Sequence, residues 1–390
     1  MELALSPIFN LSMASKELFH SNLLYWIGIT YRAQFMAIME RLDVETDEWP
    51  NNWTIHREKD HFDLLITSED EKSYFLILEN KVKSIPHTDQ LDYYQKKNHQ
   101  PNTALLLLSL ATNLPNQDEI NEKGWIIKNY QDYAYAIYSV LPSITNDYHR
   151  LLLEDYCMCI LSLHEKQLSW NYEEAISYVK QFVKERSEEK SLRIEDMRKK
   201  VLYSKLAADL QKTLDAKIYT NKQILSNNDA IGNVYVNYGM TRSMGLVDVK
   251  VRIKGNFMFV IQLQGEAYKH CVETLDKEGL GYVKDIGLML KNDNANLQTT
   301  NTTMDIVEQF FSFTNAPVNN NIYPFKDNTV TFPKSHKKGN RKNTAYNQYG
   351  ESFIYQYIKL PEGITVKEVI EAIVEDVNKI LKIIRPKTNL

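Results

Sequence analysis

The segment from Tyr74 to Val82 constrains this chain more than any other; it reads YFLILENKV. An apolar run of this kind, set off by the charged turn Ser68 to Lys72 (SEDEK), reads as a strand that is apolar on both faces at its start. It ends abruptly in Glu79-Asn80-Lys81. Burying such charges is costly without a partner or a metal. Side chains alternate along a strand, so Glu79 and Lys81 share one face and Asn80 takes the other.

The flanking pattern predicts one α/β unit with a mixed sheet. Ser15 reads as an N-cap, and apolar residues recur at helical spacing from Leu18 to about Leu42. Phe62 to Thr67 (FDLLIT) reads as a strand, Thr88 to Lys97 as a helix after Pro86, and Thr103 to Leu110 (TALLLLSL) as a buried strand. Trp125 to Ile127 adds a further strand. From about Asp147 to Leu225 the pattern is helical, and Lys184 to Lys200 reads as a solvated helix laced by i,i+4 ion pairs. Beyond Ile231 strands return, with Gly at the turns, and a helix from Val366 to Ile384 closes the chain. The expected division is 1–165, an α/β unit; 166–226, a helical region; and 227–390, a C-terminal α+β domain whose role the sequence does not assign.

Composition narrows the function. Lys and Arg number 46 against 50 Asp and Glu, for a formal charge of −4, so no strong bulk attraction to nucleic acid is expected. Any such activity must come from a local site. The segment Lys334 to Lys342 (KSHKKGNRK) holds Lys334, Lys337, Lys338, Arg341 and Lys342 without an acid, and as a loop it could contact phosphates. Three cysteines cannot make a disulfide framework, and Cys157 and Cys159 read as buried helix residues. The N-terminal stretch lacks a basic n-region and no run of 18 apolar residues exists, so the expectation is a cytoplasmic protein with no membrane partner. The absence of a Gly-rich phosphate loop argues against an ATPase.

The chemistry gathers around the Glu-Asn-Lys strand end. If Ser68 to Lys72 joins two strands as a hairpin, Asp63 approaches the face of Glu79 and Lys81. Two carboxylates and an ammonium then converge, a set that suits a hard divalent ion. Gln90 and Tyr94, at an i,i+4 spacing, project from one face of the following helix.

These residues together resemble the PD-(D/E)XK nuclease superfamily. The similarity is to the branch with an I-E-N-K strand and a Q-L-x-x-Y helix; here the text is LENK and QLDYY. Glu17, followed by His20-Ser21, resembles that branch's first helix, and Arg57-Glu58 stands where the branch often has an Arg-Glu pair. The motifs cover about residues 15 to 130. Phe62 precedes Asp63 where the superfamily's name has Pro, and His61 stands where the branch often has a basic residue.

The resemblance implies a restriction-endonuclease-like mixed-sheet core and metal-dependent phosphodiester hydrolysis. It implies that Asp63, Glu79 and the Asn80 carbonyl bind Mg²⁺, with Mn²⁺ as a substitute. Lys81 would position or activate water, Glu17 would serve as an accessory carboxylate, and Gln90 and Tyr94 would support the site or the DNA backbone. The expected function is a DNA nuclease, in prokaryotic defence against foreign DNA, as a homo-oligomer or with a partner protein. Two other readings stay open. One is a binding or sensor protein on a nuclease fold; the other is a scaffold in which Asp63, Glu79 and Lys81 form an ion network.

Overall fold

The computed structural model describes residues 8, 17–82, 86, 88–97, 102–112, 116–219, 221–226, 230–241, 243–291, 301–313, 322–325, 330–331 and 345–385. The chain is mixed α/β and divides into two compact units: Met1–Asn171 with Glu185–Leu202, and Tyr172–Lys184 with Tyr203–Leu390. The helical region expected over 166–226 is therefore shared between the two.

The first unit is built on a five-stranded sheet in the order β1-β2-β3-β4-β5. The strands are β1 (Thr54–Arg57), β2 (Leu64–Thr67), β3 (Tyr74–Lys81), β4 (Ala104–Ser109) and β5 (Trp125–Asn129). The first three are antiparallel neighbours, while β3, β4 and β5 run parallel. Parallel pairing requires crossovers, and α3 (Thr88–Lys97) and α4 (Gln117–Glu122) lie in them. β3 sits at the centre, which explains its continuous apolar text: Leu76, Ile77 and Leu78 are all fully buried.

The N-terminal helical pattern is two helices, α1 (Glu17–Thr30) and α2 (Arg32–Arg41), rather than the one that the periodicity suggests. The break is at Tyr31, whose φ of −133° and ψ of 65° leave the helical region. Its hydroxyl meets His149 Nδ1 at 2.6 Å on α6 (Asp147–Leu168), and the two rings pack edge to face. A tertiary contact thus overrides local periodicity. α5 (Tyr130–Val140) starts on Asn129, which closes a capping box with Asp132. It packs against α2, α6, β4 and β5.

Lys184 to Lys200 is not one solvated helix. α7 (Ser187–Ser191) ends before Arg193, which is left-handed, and α8 (Glu195–Leu214) follows. Glu189 and Arg198 are buried, and Arg198 is held by Glu195 at 2.7 Å. Charge here serves the interior as well as the surface. Cys157 and Cys159 are buried on α6 with free thiols, as their helical setting predicts.

The second unit carries a seven-stranded sheet in the order β11-β12-β10-β9-β8-β7-β6. Its strands are β6 (Lys217–Ile218), β7 (Val234–Thr241), β8 (Met244–Lys254), β9 (Phe257–Gln264), β10 (Ala267–Thr274), β11 (Asn347–Tyr349) and β12 (Phe353–Lys359). All pairs are antiparallel except β6 with β7. The unit's helices include α9 (Asn221–Ser226), α10 (Leu280–Leu290), α11 (Asn301–Phe310) and α12 (Val366–Ile384). Residues 174–178 join this unit by backbone bonds, with Tyr178 N–H donating to Ile364 O and Val366 N–H to Ile176 O.

Alternation divides the sheet's two faces. Tyr268 and His270 face α12, where both contact Asp376 Oδ2, at 2.9 and 2.7 Å. All three residues are fully buried. The opposite face carries Asp248, Lys250, Gln262, Lys269 and Glu273, in register across β8, β9 and β10. Lys250 meets Glu273 at 2.5 Å, and Gln262 donates to Asp248 at 2.8 Å. Among the described residues no helix is long and apolar enough to cross a membrane.

Two stability measurements test this arrangement. Asp376→Leu strips the buried His270 and Tyr268 of their shared acceptor and should cost about 3–5 kcal/mol in urea unfolding, whereas Glu371→Leu on the exposed side of the same helix should cost little. Burial, the largest influence, pushes the Asp248 carboxyl above the usual carboxylate range despite Lys250 and Lys269 nearby. A carboxyl raised on folding weakens the fold once pH exceeds its folded value and does not do so below its unfolded one. Asp248→Asn should therefore be more stable than the parent near neutral pH, with the gap closing as pH falls through the raised value. A gap that widens on acidification would contradict the assignment.

Candidate active site

The site forms where the antiparallel and parallel halves of the first sheet meet. Asp63 stands immediately before β2, just beyond the paired residues Leu64 and Leu78. There its Oδ2 accepts the Asn80 backbone N–H at 2.7 Å. A carboxylate thus engages a strand N–H beyond the last rung of the ladder. Glu79 and Lys81 point to one face of β3, and Lys81 Nζ reaches Glu79 Oε1 at 2.5 Å. Both are deeply buried, at 2% and 7% exposure.

α3 holds this face. Gln90 uses its amide nitrogen twice: it donates to Glu79 Oε1 at 2.9 Å and to the Tyr94 oxygen at 2.6 Å. Tyr94 in turn donates its O–H to His61 O at 2.8 Å. A relay thus runs from the loop before Asp63, through α3, to the carboxylate of β3. Burial, and then the negative charges of Glu79 and Asp63, hold the Tyr94 hydroxyl well above its ordinary pKa, so it remains a donor. Tyr94 is buried, with its ring edge-to-face on Phe62, so it acts inside the protein and offers no surface to DNA.

The loop leading to Asp63 is unusual. Glu58, Asp60 and His61 all have positive φ, at 53°, 57° and 72°. Asp and His tolerate this region better than most residues, yet non-glycine residues held there are strained. Contacts hold the loop: Lys59 pairs with Glu71, Lys97 Nζ donates to Asp60 O at 3.0 Å, and Tyr94 holds His61 O. The strain turns the chain so that Asp63 enters beside β3.

The opposite face of β3 is also polar. Asn80 Oδ1 accepts the Tyr130 hydroxyl from α5, and Asn80 Nδ2 lies 3.4 Å from Ser21 Oγ of α1. His20, next to Ser21, meets Tyr156 of α6 at 2.9 Å through Nδ1. All five residues are buried. Sequence reading weighed His20 and Ser21 on the strength of the first-helix motif. It missed Tyr130 and Tyr156, because nothing in their spacing ties them to Asn80. The available signal was Asn129 with Asp132, the capping box that fixes where α5 begins and so where Tyr130 stands.

Six of the sequence-derived residues therefore come together: Asp63, Glu79, Asn80, Lys81, Gln90 and Tyr94. Glu17 begins α1, four residues before Ser21, and its side chain lies outside the described residues. So do Lys334, Lys337, Lys338, Arg341 and Lys342. Among the described residues no group of three or more His, Cys, Asp or Glu side chains forms a metal-binding cluster. The donors at hand are the Asp63 and Glu79 carboxylates and main-chain oxygen. These are hard ligands, which suit Mg²⁺ or Mn²⁺ better than softer ions. With Lys81, the two carboxylates leave a formal negative charge in a desolvated corner, and a bound cation would offset it.

The relay makes a specific forecast. Gln90→Leu removes both amide donations, to the Glu79 carboxylate and to the Tyr94 oxygen. Tyr94→Phe removes one bond to the loop. Gln90→Leu should unfold at lower urea and lose more stability than Tyr94→Phe, which should cost about 1 kcal/mol. Equal losses would show that Gln90 does not bridge two elements. No protein-family model matches this chain, and neither the curated proteins nor the solved structures contain a match to it.

Proposed function

We propose that the first unit is a metal-dependent nuclease with a restriction-endonuclease-like core, hydrolysing phosphodiester bonds in DNA. The observation that carries this reading is the Asp63 carboxylate seated on the Asn80 N–H, beside a Glu79–Lys81 pair on the neighbouring strand. Two carboxylates and an ammonium at adjoining strand ends suit metal-assisted hydrolysis of a phosphodiester. The resemblance of the Glu-Asn-Lys strand and the Gln-Leu-x-x-Tyr helix supports the same reading.

Asp63 and Glu79 would hold a Mg²⁺ or Mn²⁺ ion, with the Asn80 carbonyl as a further oxygen. Such an ion, when bound, supplies charge stabilisation at the phosphate and a more acidic water. Lys81, paired with Glu79, would orient the attacking water or meet charge developing on the phosphoryl oxygens. Gln90 keeps the Glu79 carboxylate turned toward Lys81. The reading carries a cytoplasmic setting and a role in defence against foreign DNA.

One observation favours a plainer reading. A buried Lys–Glu pair at 2.5 Å is also what a structural ion pair looks like. The two separate in one experiment. Linear and circular DNA are incubated with the full chain, with and without Mg²⁺, beside Lys81→Met and Asp63→Asn. On the nuclease reading the parent cleaves only with metal, and both variants lose at least about 100-fold in rate while their far-UV spectra stay near the parent's, whatever they lose in urea midpoint. A folded parent that cuts nothing with Mg²⁺ or Mn²⁺, and variants that lose only stability, would leave the ion pair as the explanation.

A further inference from the structure

We propose that Tyr130 is a positioning residue for the site, acting through Asn80 on the ends of β2 and β3; this rests on the nuclease reading above. Asn80 is the residue between the two that face the chemistry, and the strand's alternation turns its side chain away from them. Its backbone and side chain therefore work in opposite directions. The N–H holds Asp63 of β2 at 2.7 Å. The amide group is gripped from behind, by the Tyr130 hydroxyl of α5 and, at 3.4 Å, by Ser21 of α1. One residue thus joins two strands and two helices.

The grip bears on position because the ladder has already ended. Beyond Leu64 and Leu78 no residue of β2 pairs with β3. On the other side, β3 continues beside β4 through Lys81 and Ser109. The Asp63 side of the strand end therefore depends on side-chain contacts rather than on ladder bonds. A roll of the strand end would swing the Asn80 N–H away from Asp63 and separate the two carboxylates. The Tyr130 bond opposes that motion. It is fully buried, and the Tyr130 ring is packed edge to face with His20 at 5.4 Å and Tyr133 at 6.0 Å, so the hydroxyl has little freedom. The Ser21 contact extends the same hold to α1.

Tyr130→Phe deletes one oxygen and keeps the ring. The matched control is Tyr133→Phe: Tyr133 is equally buried on α5 and packs on Tyr130 and Tyr156, and no hydrogen bond joins it to Asn80 among the described residues. Mn²⁺ binding to the full chain is measured by calorimetry without DNA, and cleavage by steady-state kinetics. Tyr130→Phe should bind Mn²⁺ about tenfold more weakly and lose kcat to a similar degree, with KM for DNA unchanged. Tyr133→Phe should match the parent in both, whatever it loses in urea midpoint. Ser21→Ala should shift Mn²⁺ affinity in the same direction and carries the test if Tyr130→Phe does not fold. A parent that binds Mn²⁺ and a Tyr130→Phe or Ser21→Ala variant that binds it equally well overturn the inference alone. A parent that neither binds Mn²⁺ nor cleaves DNA overturns the nuclease reading, and this inference with it.

Discussion

The Asn80 N–H bond to Asp63 is the contact on which the first unit's organisation turns. It joins the last residue before β2 to the polar end of β3, at the place where antiparallel pairing stops and parallel pairing continues alone. To reach it, the chain accepts three left-handed residues in the loop before Asp63. To keep it, α3 braces one face of β3 through Gln90 and Tyr94, while α1 and α5 brace the other through Ser21 and Tyr130. Strain of this kind persists only where the surroundings overdetermine it, and here both layers of helix contribute.

Much of this was legible in the text of β3 itself. Strict alternation places Glu79 and Lys81 together and Asn80 apart, whatever the rest of the fold does, and the structure keeps that division. The i,i+4 spacing of Gln90 and Tyr94 was legible for the same reason: a helix fixes it locally. The antiparallel partner was readable from the charged turn, and α12 from its periodicity; the structure adds a Thr365 to Glu368 capping box at its start. What was not legible depends on contacts between distant residues. The break at Tyr31 is stabilised from His149, more than a hundred positions later. Strand β1 is short, and its text, Thr-Ile-His-Arg, shows no pattern that stands out from a loop. Arg198 reads as surface in a charged segment, yet it is fully buried beside Glu195. Tyr130 is one tyrosine among 24, and only the fold picks it out.

The second unit follows different rules. Its sheet is almost wholly antiparallel, so alternation can give it one face against α12 and an opposite face where polar residues sit beside the apolar cluster of Ile224, Tyr235, Met258, Val260 and Cys271. The opposite face is not simply wet. Lys269 is nearly buried, donates to Gln262 Oε1 at 2.5 Å and lies over the Tyr355 ring at 4.7 Å; burial lowers its affinity for a proton. Asp248 and Glu273 are shifted in the opposite sense by the same cause. Ionisable groups here are set against amides and rings more than against bulk water, which makes this face sensitive to any substitution that changes one partner.

The path of the chain between units has a consequence for synthesis. The first unit is left at Asn171 and taken up again at Glu185, after Tyr172–Lys184 has gone to the second. A ribosome therefore delivers the closing piece of the first unit only after the opening piece of the second, and the latter waits for Ile364 and Val366 to complete its pairing. Folding as the chain emerges, the usual habit of multidomain proteins, is interrupted at this point. No single cut separates the two units with both intact, and a nascent chain halted between the two pieces would hold both unfinished.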